Sequence, residues 1–280
     1  MLGYRHAFHA GNHADLLKHF FLFHSLDYLI QKDVPLLYVD THAGAGAYDL
    51  SSGYAAQNEE WQGGYQRLMM SSQGPLPQSI QRFKNFLEAS ISASGMYPGS
   101  PLIADRILRE KDRRVFFELH PADYETLKNL FNGAKQVTVF NTDGFTGLKA
   151  LLPPPSRRAC VFIDPSYELA SDYEKVITSI QEALRRFATG TYIIWYPLLA
   201  REEARTLRES LLSLHRGNSV YLEIQISKAR ERGMFGSGLV ILNPPWSLQS
   251  IIPEALPVLA DMLKEEQEIY LPTYRFVREL

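Results

Sequence analysis

The chain has 280 residues, a near-neutral net charge of −2 and 45% hydrophobic residues, which excludes disordered, collagenous and coiled-coil classes. That length suits one large domain, or a domain with a small insert. The single cysteine, Cys160, excludes a disulfide framework and a cysteine-built zinc site. With no signal-peptide pattern and no membrane-length apolar run, a cytoplasmic protein without a membrane partner is expected.

Asn12 can cap a first helix carrying Leu16, Leu17, Phe20, Phe21 and Leu29, with Asp15 at its third position favouring the positive helix end. Short apolar runs then predict seven strands, at 35–40, 114–118, 136–141, 159–164, 190–196, 219–226 and 238–243. Most lack alternation, as expected where helices cover both sheet faces. Helical spacing appears at 121–131, 173–187, 201–214 and from 249 to 264. This alternation predicts a doubly wound α/β sheet, its last two strands an antiparallel pair because residues 227–237 are too few for a helical crossover.

The first two strands stand about 75 residues apart, against about 30 for an ordinary strand–helix–strand unit. The excess contains helical patterns at 58–70 and 77–93. Residues 48–100 are therefore expected to form a helical subdomain inserted over the carboxyl edge of the sheet. Residues 1–47 and 101–280 would form the main domain, with an N-terminal motif and helix over 1–31.

Four strands end on acids. After the first, Asp40 precedes Gly44 and Gly46. Such glycines allow a tight turn and expose backbone N–H groups. Alone they indicate an ordinary turn; with Asp40 they suit a zwitterionic amino-acid moiety. Glu118 stands where a doubly wound fold binds ribose hydroxyls, although a strand-end acid is also commonly a solvated residue or a cap. Asp143 can accept from an adenine amine or cap the next helix, and the two readings are compatible. Asp164-Pro165-Ser166-Tyr167 resembles the signature of amino methyltransferases, an Asp, Asn or Ser followed by two prolines and a Tyr, Phe or Trp. There the carboxylate and the following carbonyl hold an exocyclic amine while the ring stacks on an extruded base. Asn243-Pro244-Pro245-Trp246 also fits that pattern, but it follows an antiparallel strand and so belongs at the opposite edge, as a turn. Six of the eight histidines precede residue 43. A metal site from His9, His13 and His19 is not expected, because a helix start falls between the first two and no zincin pattern is present.

Taken together, the block from Tyr4-Arg5-His6 to Lys18-His19, the Asp40–Gly46 loop, Tyr97–Pro101, Glu118–Pro121, Asp143-Gly144-Phe145, Ala188–Pro197 and Asn243–Trp246 resemble the RlmJ type of large-subunit ribosomal RNA methyltransferase. The resemblance covers nearly the whole chain. It implies a Rossmann-like methyltransferase sheet, S-adenosylmethionine as methyl donor without a metal, and N6-methyladenine in 23S ribosomal RNA as the product. Carried over by motif, it implies cofactor contacts from Lys18, His19, His42, Ser100, Glu118, Asp143, Gly144 and Asp164. Tyr4 and His6 would face the target adenosine, and Asp164 would be catalytic. In that mechanism Asp164 and the Pro165 carbonyl hold the amine and Tyr167 stacks on the base.

This chain departs from the family at Ser166. Losing a proline frees one torsion and adds an N–H, so reduced rigidity rather than lost chemistry is expected. The loop Lys228, Arg230 and Arg232, with Arg5 and Lys18, is either an RNA-backbone contact or a solvated hairpin loop. Near-neutral overall charge suits RNA free of most ribosomal proteins, met by a monomer. Two alternatives stand: a DNA adenine-N6 methyltransferase, and a weakly catalytic nucleic-acid-binding protein of external-DNA use, the label given to some relatives.

Overall fold

The computed structural model describes residues 6–51, 55–71, 75–231, 233–265 and 270–278. After a 3-10 turn at His6–Phe8 come α1 (His13–Leu29), β1 (Leu37–Asp40), β2 (Ala47–Tyr48), α2 (Ala55–Asn58), α3 (Tyr65–Met70), α4 (Gln78–Ser94) and β3 (Tyr97–Pro98). There follow α5 (Ser100–Ile107), β4 (Arg113–Phe117), α6 (Pro121–Leu130), β5 (Val137–Phe140), α7 (Gly144–Leu151), β6 (Ala159–Ile163) and α8 (Ala170–Arg186). The chain closes with β7 (Thr191–Leu198), α9 (Glu202–Leu214), β8 (Ser219–Gln225), β9 (Gly236–Leu242), α10 (Leu248–Leu263) and β10 (Thr273–Val277).

Asn12 caps α1 as its sequence predicts, accepting from the amides of Ala14 and Asp15. Unlike an amphipathic surface helix, α1 is buried on most of its circumference from Ala14 to Leu26. Its Phe20 and Phe23 pack against Phe83 of α4, and Phe21 packs edge-on against Phe20 in the same core. Leu68, Ile80, Phe83 and Leu87 from the 48–100 segment belong to that same core.

The main sheet runs β10-β8-β9-β7-β6-β1-β4-β5. Strands β1, β4, β5, β6 and β7 pair in parallel, and β1, β6 and β7 are buried along nearly every residue. That explains the missing alternation, since both faces lie under helices. Strand β9 lies antiparallel between β7 and β8. This is a doubly wound, Rossmann-like α/β sheet whose order reverses at β1 and β6.

The sheet has eight strands, not seven. The extra edge strand β10 pairs antiparallel with β8, and its residues are exposed or half-buried. An edge strand with little buried surface leaves a weak hydrophobic signature. Two further differences concern helices. The predicted helix 58–70 breaks into α2, a 3-10 turn at Glu60–Gly63 and α3, interrupted at Gly63-Gly64. Helix α5 has no counterpart among the predicted elements. A two-residue antiparallel ladder, Ala47–Tyr48 with Tyr97–Pro98, ties the loop after β1 to the segment leading into α5.

Candidate active site

Open α/β sheets bind ligands outside the carboxyl ends of strands where their order reverses, and the acidic strand tips meet there. Asp40 is in register with Phe116 on β4 and Phe162 on β6. The backbone beyond it is stitched across both neighbours: the Thr41 amide and hydroxyl donate to the Phe162 carbonyl, and the Ala43 amide donates to that of Phe117. A cavity of about 570 Å³ opens above these tips, within the range of small-molecule sites. Of the residues singled out from the sequence, His6, His19, His42, Gly44, Ser100, Glu118, Asp143, Gly144, Asp164 and Pro165 line it. Asp123, Glu168, Asp172 and Lys175 also line it; no motif marked them.

Glu118 accepts the Gly44 amide at 2.7 Å and the His120 amide at 2.6 Å. Burial raises its pKa, opposed by those two amides. The Gly44 N–H, expected to face a ligand, is thus spent on holding Glu118 in the cavity wall. Asp143 caps α7, its Oδ1 accepting from the Thr146 amide at 2.9 Å, while still lining the cavity. Gly144 begins that helix so close to the β1 loop that a Cβ there would stand 2.1 Å from the Thr41 carbonyl. Burial holds His42 down at about 4 and His19 at about 3; both rings are neutral near pH 7.

Three expected cofactor contacts, Asp40, Gly46 and Lys18, are not in the lining. Asp40 is fully buried; it takes hydrogen bonds from the Tyr38 hydroxyl and the His42 amide and pairs with Ser100. Burial pushes it up to about 7 against those bonds. Asp40 therefore shapes the floor and anchors Ser100, which does reach the cavity. Gly46 has φ +81° and packs on α6, where a Cβ would meet Leu127 and Leu130; it serves the turn rather than a ligand.

Lys18 is also repositioned. It is 3% exposed, with Nζ 2.7 Å from Asp164 Oδ2 and 3.0 Å from Asp15 Oδ1, over the Trp195 ring at 4.8 Å. So buried an ammonium cannot meet an RNA phosphate, which removes Lys18 from the expected backbone contacts. Asp15, read from the sequence only as a helix-end charge, is the hub of this cluster. Fully buried, it accepts the Gly11 amide at 2.9 Å and lies 3.0 Å from His6 Nε2. Burial alone would raise its pKa, yet His6 and Lys18 hold it well below the ordinary value.

Tyr167 does not line the cavity. Its φ is +51°, its ring packs against Tyr173 and Trp195 at 4.6 and 5.9 Å, and its hydroxyl donates to the Trp195 carbonyl at 2.7 Å. Burying the ring and satisfying the hydroxyl locks it in the core, so the expected base-stacking role does not fit this arrangement. Lys228 is exposed at the carboxyl edge beyond β8. Arg230 donates to the Met234 carbonyl and lies 3.7 Å from Glu265. Tyr4, Arg5 and Arg232 lie outside the described residues. Asn243 has φ +49° at the opposite edge of the sheet and donates to the carbonyls of Ala188 and Gly190, a turn out of β9.

Among the described residues, six carboxylates (Glu118, Asp123, Asp143, Asp164, Glu168 and Asp172) face the cavity, against the single ammonium of Lys175. Such a wall favours a cationic ligand and repels phosphates. Among the described residues no group of three or more His, Cys, Asp or Glu is arranged to hold a metal ion, and no helix is long and apolar enough to cross a membrane.

A family model described as ribosomal RNA large subunit methyltransferase D, RlmJ, matches residues 33–273. The ribosomal RNA large subunit methyltransferase J of Haemophilus influenzae is 42% identical, with 95% of each chain covered. That of Escherichia coli is also 42% identical, with 94% of each covered. A Legionella pneumophila protein of solved structure superposes with a TM-score of 0.85 at 34% identity, covering 96% of this chain and 98% of its own. On these matches the chain belongs to the RlmJ family of ribosomal RNA large subunit methyltransferases.

Proposed function

We propose that this protein is a ribosomal RNA methyltransferase that transfers a methyl group from S-adenosylmethionine to the N6 amine of an adenine in 23S ribosomal RNA. The observation that carries this reading is Asp164-Pro165 at the β6 tip, inside an acid-lined cavity at the reversal point of the sheet. The relatives named above are ribosomal RNA large subunit methyltransferases, which supports the substrate class. The donor set fits the cofactor: S-adenosylmethionine carries a sulfonium and an ammonium charge, and six carboxylates face the space. Glu118 would take the ribose hydroxyls and Asp143 the adenine amine of the cofactor. His19, His42, Ser100 and Gly144 would complete its wall.

S-adenosylmethionine supplies an electrophilic methyl group when bound. An adenine N6 lone pair is delocalised into its ring, so the protein must hold the amine rather than merely meet it. Lys18 occupies Asp164 Oδ2, which leaves Oδ1 for one amine hydrogen, and the Pro165 carbonyl accepts the other. As the nitrogen is alkylated it becomes strongly acidic, so even an ion-paired carboxylate at Asp164 can take the released proton. His6 lines the same cavity and would face the target adenosine, together with Tyr4. The acidic wall keeps phosphates out, so the target base would enter alone, unstacked from its helix. The RNA backbone would then be met by the loop bearing Lys228, Arg230 and Arg232. Residues 48–100 would act as the inserted helical subdomain beside this entrance.

The test is incubation with methyl-labelled S-adenosylmethionine and either unmodified 23S RNA or DNA of matched sequence. Label in RNA alone is expected. Label in DNA alone, or in neither, would overturn the reading.

A further inference from the structure

We propose that Asp15 is a positioning residue of the methyl-transfer site, setting His6 directly and Asp164 through Lys18; the inference rests on the function proposed above. Nothing in helix formation calls for a buried carboxylate here. An acid in the first turn gains its favourable interaction with the helix end while exposed to water, and burial costs several kcal/mol unless the charge is paired. Asp15 is nonetheless 0% exposed, and its side chain turns back from α1 toward the N-terminal segment.

Its contacts lead to the cavity in two directions. Oδ2 lies 3.0 Å from His6 Nε2 and accepts the Gly11 amide, fixing the His6 ring where it lines the cavity 5.3 Å from the Tyr48 ring. Facing an ionised carboxylate, Nε2 must carry the proton, so Asp15 also sets the His6 tautomer. Oδ1 lies 3.0 Å from Lys18 Nζ, one turn along the same helix face. That ammonium continues to Asp164 Oδ2 at 2.7 Å. One ammonium thus serves two carboxylates. With Asp15 charged, Lys18 is held between them over Trp195, and the Asp164 carboxylate keeps one orientation toward the amine. With Asp15 neutral, Lys18 would pair with Asp164 alone and shift toward it.

The experiment compares wild type with Asp15→Asn, which keeps the shape of the side chain and an acceptor for the Gly11 amide. Expected is a kcat for 23S RNA methylation lowered about 100-fold, the scale of a ~1 Å misplacement. The KM for RNA and the affinity for S-adenosylmethionine should stay within about threefold of wild type. A folded Asp15→Asn protein with wild-type kcat would overturn the inference, as would a loss confined to KM. If Asp15→Asn does not fold, nitrogen-15 spectra of the His6 ring in wild type decide: a proton on Nε2 is expected, and a neutral ring protonated on Nδ1 contradicts it. A wild-type protein that leaves 23S RNA unlabelled removes the underlying reading instead. Wild-type labelling matched by the variant removes only the role of Asp15.

Discussion

Lys18 Nζ and Asp164 Oδ2, 146 residues apart in sequence, meet at 2.7 Å with Lys18 almost wholly buried. Because the same ammonium also faces Asp15 at 3.0 Å, its removal takes a buried cation from two carboxylates, although Asp15 keeps His6 and the Gly11 amide. Lys18→Met should lower stability by about 3–5 kcal/mol, the cost of breaking a buried pair from one side. Asp164→Asn should cost less, since Lys18 keeps Asp15. Denaturant unfolding of both variants measures the difference, and equal losses would speak against a shared ammonium.

Asp40 makes part of the stability fall as pH rises. Its carboxyl titrates near 7 when folded and near 3.8 when unfolded. Between those values the folded chain holds a proton that the unfolded chain has released, so each pH unit removes about 1.4 kcal/mol. That contribution is complete below pH 3.8 and gone above 7. Relative to Asp40→Asn, wild type should lose about 2–3 kcal/mol more on going from pH 5 to pH 7. Paired denaturation curves at the two pH values give this double difference; a value near zero would contradict a protonated Asp40.

The histidines act in the opposite sense. Burial holds His13, His24 and His42 down at about 4 and His19 at about 3. Below pH 6.5 the unfolded chain binds protons at these sites that the folded chain refuses. Stability from the four is complete above 6.5 and lost as pH falls toward 4. Steep acid unfolding in that window is expected, and proton uptake on unfolding at pH 5.5 should approach four before the uptake deficit at Asp40 is subtracted. Potentiometric titration checks it.

How far the site could be read from the sequence follows from what kind of force places each residue. Glu118, Asp143 and Asp164 were legible because a parallel sheet delivers strand tips to one edge whatever the side chains do afterwards. Asp40 shares that placement, yet Tyr38 and Ser100 draw its carboxylate under the floor, and no pattern encodes such a pairing. The same holds for Tyr167, whose ring finds more buried contact beside Tyr173 and Trp195 than above the cavity. Asp15 reads as a helix-end charge and Lys18 as a cofactor or RNA-backbone contact, since three-residue spacing does not reveal that α1 is buried nearly all round. Edge strand β10 was missed for want of a buried face.

Gly144 tests the close approach between α7 and the β1 loop. A Cβ there would press on the Thr41 carbonyl at 2.1 Å, backbone that cannot step aside cheaply. Gly144→Ala should lower stability by about 2 kcal/mol or more through overpacking and weaken S-adenosylmethionine binding. Calorimetry of the purified variant shows both, and unchanged affinity would detach Gly144 from the cofactor wall.

Replacing Lys228, Arg230 and Arg232 together should raise the KM for RNA and flatten its dependence on salt, since each lost phosphate contact reduces the salt slope by about one. Steady-state assays between low and physiological salt measure both. Unchanged KM and slope would make the loop an ordinary solvated hairpin.

The account stands most directly on the identity of the methylated nucleoside. 23S RNA treated with the protein and labelled S-adenosylmethionine would be digested to nucleosides and separated, beside a reaction with Asp164→Ala. Label eluting with N6-methyladenosine, and absent in the variant, is the predicted result. Label in any other nucleoside, or persisting in Asp164→Ala, would contradict the assignment of the Asp164-Pro165 amine clamp.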